Sequence, residues 1–349
     1  MTGILHRYSF SIVLLAVLAA AWLFRAPAEQ PIHEFGGATM GTTYSVKVVD
    51  LPPALSVEAL AESVRILLTR LDREQMSTYA PESELSRLNA APLNQELPLS
   101  PEMAEVLGLA IEMSELTAGA FDVTVGPLVN RWGFGPEARA ASRIPTQDEI
   151  EALLARVGYD NLQLMENTLI KTADVYIDLS GIAKGYAVDK VAEYLDTLGI
   201  ASYFIEIGGE LRIKGYKPGE LSWVPAIEKP VDTAPQVHNI LYANGESIAM
   251  AGSGDYRNYF EQDGMHYSHE IDPATGRPVS HNLAGVYVID HSAARADALA
   301  TAFMVMGADR GFELATRMGL AVYFITKRSD SDGFDDRYTD KFANYLEEQ

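Results

Sequence analysis

The chain has 349 residues, 48% of them hydrophobic, and a formal net charge of −21. That is enough material for one large domain or two lobes with a sizeable core. The acidity excludes partners gripped through Lys and Arg clusters, both nucleic acid and anionic lipid surfaces, and the absence of cysteine excludes thiol catalysis, zinc–thiolate sites, disulfides and a lipid-bearing N-terminal Cys.

At the N-terminus His6 and Arg7 precede an apolar run over residues 10–24, and Ala26-Pro27-Ala28 offers a small-residue cleavage site. The run is short for a membrane span and long for the core of a signal. Residues 1–30 therefore read as a signal peptide or an N-terminal membrane anchor, and residues 31–349 as the folded part, exported to the periplasmic side of the inner membrane.

A first strand is expected over 38–49, with Met40-Gly41 at its start. Apolar residues at 57, 60, 64, 67, 68 and 71 fall at helical spacing. A Pro-bounded turn carrying Tyr79 and a short helix follow. Ser100-Pro101 is a helix start and Gly119 its stop. Two Gly–aromatic pairs beyond Asp122, in residues 120–135, suit either a flat ligand lying on backbone or a structural loop. Thr146 and Glu149 form a capping box for a helix to about 157, and 161–172 reads as a pair of edge strands.

The next stretch is expected as a strand over 175–179, a Ser180-Gly181 turn and a helix to 198. A helix N-terminus opening on a glycine turn favours an anion, and Lys184 adds a point charge in its first turn. The spacing is neither G-x-G-x-x-G nor a P-loop. Residues 203–207 and 211–214 form a hairpin about Gly208-Gly209. Strands follow at 222–228 and 240–251, the latter folded at Asn244-Gly245, and at 283–289. Helices at 293–306 and near 309–318, then a strand at 320–326, close the domain. The acidic tail from Arg328 is expected to be peripheral. Hairpins with helices inserted in groups imply an α+β fold with mixed or antiparallel sheets.

The chemistry is expected within residues 252–301. His266 and His269 lie beside Glu270-Ile271-Asp272-Pro273 and the turn 274–278. Asp297 and Thr301, four apart on a helix of small residues, share one face. They can serve as an ordinary surface pair, or they can share a hard cation such as Mg²⁺ that keeps waters and bridges to substrate phosphate.

The segments MSTYAPESELSRLN, GAFDVTVGPLV, IDLSGIAKGYAVD, IEIGGELRIKG, SGDYRNYF, YSHEIDPATGRPV and ADALATAFMVMG together resemble the ApbE family of flavin transferases, from about residue 39 to about 333. The resemblance implies an ApbE-like single large domain that uses FAD as substrate to attach FMN to other proteins. It places Met40, Tyr79, Ala120, Phe121, Asp122, Asp178, Lys184 and Ile271 against FAD, with Tyr79 stacked on the flavin ring. The backbone at Gly181, with Asp297 and Thr301, would hold Mg²⁺, and His269 would accept the proton. Acceptors would be flavoprotein subunits of Rnf- and Nqr-type electron-transport complexes. Many relatives carry a lipid-modified N-terminal Cys, which this chain lacks. Residue content leaves open two other readings, hydrolysis of FAD to FMN and AMP at the same site and a flavin-binding protein without chemistry.

Overall fold

Tight turns between β-branched segments set the frame. Met40 (φ 48°) and Gly41 (φ 74°) both adopt the left-handed backbone that a two-residue hairpin of this twist requires. They join β1 (Ile32–Thr39) to β2 (Thr42–Val49), with Thr39 opposite Thr42. The expected single strand over 38–49 is thus two strands, and Met40-Gly41 is the loop between them. Gly208 and Gly209 (φ 62° and 108°) play the same part between β3 (Ser202–Ile207) and β4 (Glu210–Gly215).

The structure, a computed structural model, describes residues 31–135, 144–231, 233–256, 258–262, 264–331 and 333–347; the signal or anchor expected at 1–30 lies outside them. After β4 come β5 (Gly245–Gly254), β6 (Leu283–Asp290), β7 (Ala321–Lys327) and β8 (Phe334–Tyr338). These eight strands form one sheet in which each pairs antiparallel with the next. The fold is α+β, as expected.

Among the described residues six α-helices are inserted between β2 and β3: α1 (Val57–Thr69), α2 (Glu84–Ala90), α3 (Pro101–Leu116), α4 (Gly126–Trp132), α5 (Gln147–Leu154) and α6 (Ala183–Thr197). Two more, α7 (Ala293–Met306) and α8 (Ala308–Arg317), fill the crossover from β6 to β7, and α9 (Asp340–Ala343) follows β8. Their starts follow the sequence signals. Ser56, Ser100 and Ser292 each accept an N–H three residues on, and Thr146 with Glu149 closes the expected capping box.

Both faces of the central strands are covered. Val286 and Val288 of β6 join a core with α6 and α7, while Tyr287 and Ile289 join a second core with Trp223, Ile227 and Phe342. A strand buried on both sides needs no polar alternation, which is why 283–289 is a continuous apolar run. From Ile32 onward the chain packs as one compact unit.

Four further expectations are corrected. Residues 175–179 are not a strand; Val125 and Tyr176 make only an isolated parallel bridge. Asn89 holds Ile177 instead, accepting its N–H at 2.7 Å and donating to its carbonyl at 2.9 Å. Asn244-Gly245 does have left-handed backbone but joins no hairpin: Val237–Ile240 pairs with Ala226–Glu228 in a separate ribbon, and Gly245–Gly254 pairs with β4 and β6. Only Ala226–Glu228 of the expected strand 222–228 forms. The acidic tail is not peripheral, because β8 extends the main sheet and α9 buries Phe342 completely.

Candidate active site

At one end of the sheet a cavity of about 840 Å³ opens between the β3–β4 turn, the loop after α3, the start of α6, the 269–273 segment and α7. Ala120, Phe121, Asp122, Asp178, Gly181, Lys184, His269, Ile271, Asp297 and Thr301 all line it. Met40 and Tyr79 do not. Met40 sits at the β1–β2 turn with its N–H 3.1 Å from Asp72 Oδ2, and the Tyr79 ring is 67% exposed. The second imidazole of the motif, His266, is also outside the lining and stacks on Tyr259 at 4.3 Å.

The floor of the cavity is a buried charge cluster. Asp297 is 5% exposed and accepts the Gly185 N–H at 3.1 Å. Lys184 Nζ donates to Glu210 Oε1 at 2.9 Å and lies 3.9 Å from Asp297 Oδ1. Burial works against the Lys184 charge, but Asp297 and Glu210 outweigh it and hold the ammonium above its usual range. Burial pushes both Asp297 and Glu210 up, opposed by Lys184. Glu210 Oε2 is sealed from solvent without a hydrogen-bond partner among the described residues.

The loop that carries Ala120, Phe121 and Asp122 is pinned locally. Thr117 Oγ1 accepts the Phe121 N–H at 3.1 Å. Asp122 accepts from Thr124 N and Oγ1 at 2.8 and 2.6 Å and from Tyr159 N at 3.1 Å. Burial raises its pKa despite those bonds. Its carboxylate thus fastens the loop, and Phe121 and Ala120 present the lining. Asp178 is fixed by its own N–H to Val123 O at 2.7 Å, and its Oδ1 accepts the Ser180 N–H at 2.9 Å.

The α6 N-terminus offers fewer free donors than its sequence suggests. The Ile182 and Ala183 N–H groups go to Leu179 O at 3.0 and 2.8 Å, and that of Gly185 goes to Asp297. Among the described residues seven that line the cavity are carboxylates, Asp122, Asp178, Glu206, Glu210, Glu228, Glu270 and Asp297, and one is a lysine, Lys184. A cation held among these carboxylates would offset their charge toward a ligand phosphate.

The donors for one are present. Asp297 brings a carboxylate, Thr301 a hydroxyl and Gly181 its backbone, so close to Thr301 that a Cβ built on Gly181 would lie 3.2 Å from Oγ1. Among the described residues no three His, Asp or Glu side chains gather as a metal cluster. A set this small suits Mg²⁺, which keeps waters and takes phosphate oxygens as further ligands.

His269 closes another side. Its ring meets Phe134 edge-on at 6.3 Å, Nε2 lies 3.6 Å from Glu270 Oε1, and Nδ1 is buried without a partner among the described residues. Glu270 is held by Ser253 Oγ at 2.5 Å. Neither Glu210 nor Glu270 was assigned a role from sequence. The available signal for Glu210 was a carboxylate placed directly after a Gly-Gly turn at the end of an apolar strand.

The ApbE family model matches residues 40–324. A Vibrio cholerae protein named FAD:protein FMN transferase is 44% identical over 333 residues, 95% of this chain and 98% of its own. One of the same name from Haemophilus influenzae is 41% identical over 342 residues, 96% of this chain and 97% of its own. The apo crystal structure of the Pseudomonas stutzeri flavinyl transferase ApbE superposes with a TM-score of 0.83 at 39% identity, covering 92% of this chain and 98% of that one. With the fold, the cavity and the motifs in agreement along most of its length, the chain belongs to the ApbE family.

Proposed function

We propose that this chain binds FAD together with Mg²⁺ in the cavity and transfers the FMN half to a Ser or Thr hydroxyl of an acceptor protein, releasing AMP. The observation that carries the reading is the buried Asp297–Lys184–Glu210 cluster beside Thr301 and Gly181, in the same cavity as His269. Lys184 would offset part of the pyrophosphate charge, and Asp297, Thr301 and the Gly181 backbone would hold the cation. When bound, Mg²⁺ stabilises charge developing on the phosphoryl oxygens.

The acceptor oxygen bonds to the FMN-side phosphorus while the bond from that phosphorus to the bridging oxygen breaks, and AMP leaves with the bridging oxygen. His269 takes the hydroxyl proton at Nε2, the nitrogen a ligand can reach, since Nδ1 is sealed from solvent. Glu270, 3.6 Å from Nε2, stabilises the resulting imidazolium. Ala120, Phe121, Asp122, Asp178 and Ile271 shape the flavin side. Met40 and Tyr79 reach FAD from outside the cavity lining, Tyr79 by stacking on the ring. The segment at residues 1–30 carries the domain to the periplasmic side of the inner membrane, where the acceptors are flavoprotein subunits of the Rnf and Nqr type. Incubation with FAD, Mg²⁺ and such a subunit tests the reading. Flavin fluorescence on the acceptor band of a denaturing gel supports transfer, and a dark band with free FMN in solution overturns it in favour of hydrolysis.

A further inference from the structure

The three elements that supply the charge cluster meet a second time, one helical turn away, and there the shared group is Asp189. In α6, Gly185 and Asp189 are four apart and so on one face; in α7, Ala293 and Asp297 are four apart on one face. The pairing is reciprocal. The Gly185 N–H donates to Asp297 Oδ2 at 3.1 Å, while Asp189 Oδ1 accepts the Ala293 N–H and Oδ2 the Ala294 N–H, both at 3.0 Å. In β4, Glu210 and Arg212 are two apart and on one face of the strand. Glu210 accepts from Lys184, and Arg212 Nη1 donates to Asp189 Oδ1 at 2.7 Å. Ser292 Oγ adds a fourth bond, donating to Asp189 Oδ2 at 2.7 Å.

Asp189 is 6% exposed, does not line the cavity, and has both carboxylate oxygens taken by protein donors. Its position is nonetheless specific. Helix α7 has no acidic residue in its own first turn, and Asp189 supplies that missing charge from the neighbouring helix, satisfying two of the N–H groups a helix start leaves open.

We infer that Asp189 is a positioning residue for the cation site: by gripping the first turn of α7 from α6 and β4, it fixes the register that sets Asp297 against Gly185 and Lys184. This rests on the reading of Asp297 and Thr301 as cation ligands. Groups that orient metal ligands typically cost about 10- to 100-fold in metal affinity when altered. The Asp189→Asn variant keeps size and shape but replaces one acceptor oxygen with a donor, so it cannot serve both N–H groups, Ser292 and Arg212 together.

The test is Mn²⁺ titrated into the FAD-saturated full chain, with free Mn²⁺ read by electron paramagnetic resonance and stability by urea denaturation. The comparison is Leu68→Ala, a fully buried α1 position whose apolar side chain makes none of the bonds to Asp189 or Asp297. Asp189→Asn should raise the Mn²⁺ dissociation constant at least about tenfold, while Leu68→Ala leaves it unchanged despite a comparable loss of stability. Ser292→Ala, which removes one of the four bonds, should raise it less, and it carries the test if Asp189→Asn does not fold. Tight Mn²⁺ binding by destabilised Asp189→Asn, or by Ser292→Ala where only that variant folds, overturns the inference and leaves Asp189 as a stabilising cap. Absence of Mn²⁺ binding by the unaltered chain overturns the cation site itself, and the inference with it.

Discussion

Replacing Gly185 with alanine sets helix propensity against packing. Within α6 the change should gain roughly 0.5–1 kcal/mol, because glycine is entropically costly in a helix. The added Cβ, however, would lie 2.3 Å from Ala293 O and 2.8 Å from Ala294 Cα, where ordinary contact begins at 3.4 Å. Both are backbone atoms of a helix start already held by Asp189, so no side chain can swing aside and α6 and α7 must part by roughly an ångström. Overpacking typically costs about 1–3 kcal/mol, and a rigid backbone neighbour places this case at the upper end. Net of propensity, Gly185→Ala should destabilise by about 2 kcal/mol. The separation also stretches the 3.1 Å bond from Gly185 N to Asp297, so the Mg²⁺ concentration at half-maximal FMN transfer should rise as well. Urea denaturation and an Mg²⁺ titration of transfer measure the two effects. An alanine variant as stable as the parent or more so, with unchanged Mg²⁺ dependence, would show that the helices do not meet as described.

Asp297→Ala should fold, since Lys184 keeps Glu210 as partner, while Mg²⁺-dependent transfer falls by at least about 100-fold, more than loss of an outer partner gives; transfer at the normal rate would remove Asp297 from the site. His269→Ala should bind FAD normally in a fluorescence titration while transfer falls at least about 10²-fold, the lower end for general-base catalysis. Tyr79→Ala should weaken the FAD titration by about 0.5–1.5 kcal/mol if the exposed ring stacks on the flavin, and an unchanged titration would leave Tyr79 without that role. Glu149, held by the Thr146 N–H and by Arg131, has its pKa pushed down from 4.5 to about 2. A depressed carboxylate contributes stability above its unfolded value and loses it as pH falls through the folded one. The stability gap between parent and Glu149→Gln in urea should therefore be full above pH 4.5 and vanish near pH 2; a gap that does not change with pH would contradict this.

What could be read from the sequence follows physical locality. Helix α7 falls where expected, at residues 293–306, because Ser292 caps it and nothing before Gly307 breaks it. The hairpin at Gly208-Gly209 and the capping box at Thr146 are equally local. Ten of the twelve residues assigned to the site share one cavity, because the motifs that carry them are collinear with those of a family. The misses depend on partners distant in sequence. Residues 175–179 have strand-like composition, but their backbone is claimed by Asn89 and Val123. Phe334-Asp335-Asp336-Arg337-Tyr338 is too charged to suggest a strand, yet an edge position tolerates charge, and Phe342 beyond it completes a core that no local pattern announces. Asn244-Gly245 supplies the turn backbone its sequence promises, while pairing of the flanking strands is decided by Ala226–Glu228 and β4. Glu210 acquires meaning only when α6 brings Lys184 against it.

The central claim is transfer of an intact FMN to a protein hydroxyl. The most direct measurement is the intact mass of an acceptor flavoprotein subunit after incubation with the full chain, FAD and Mg²⁺, with AMP quantified in the same sample. The expected result is an acceptor heavier by one FMN residue, one AMP released for each acceptor modified, and no mass gain when the acceptor's Ser or Thr is replaced by Ala or Mg²⁺ is chelated. An acceptor of unchanged mass alongside accumulating AMP and free FMN would contradict it.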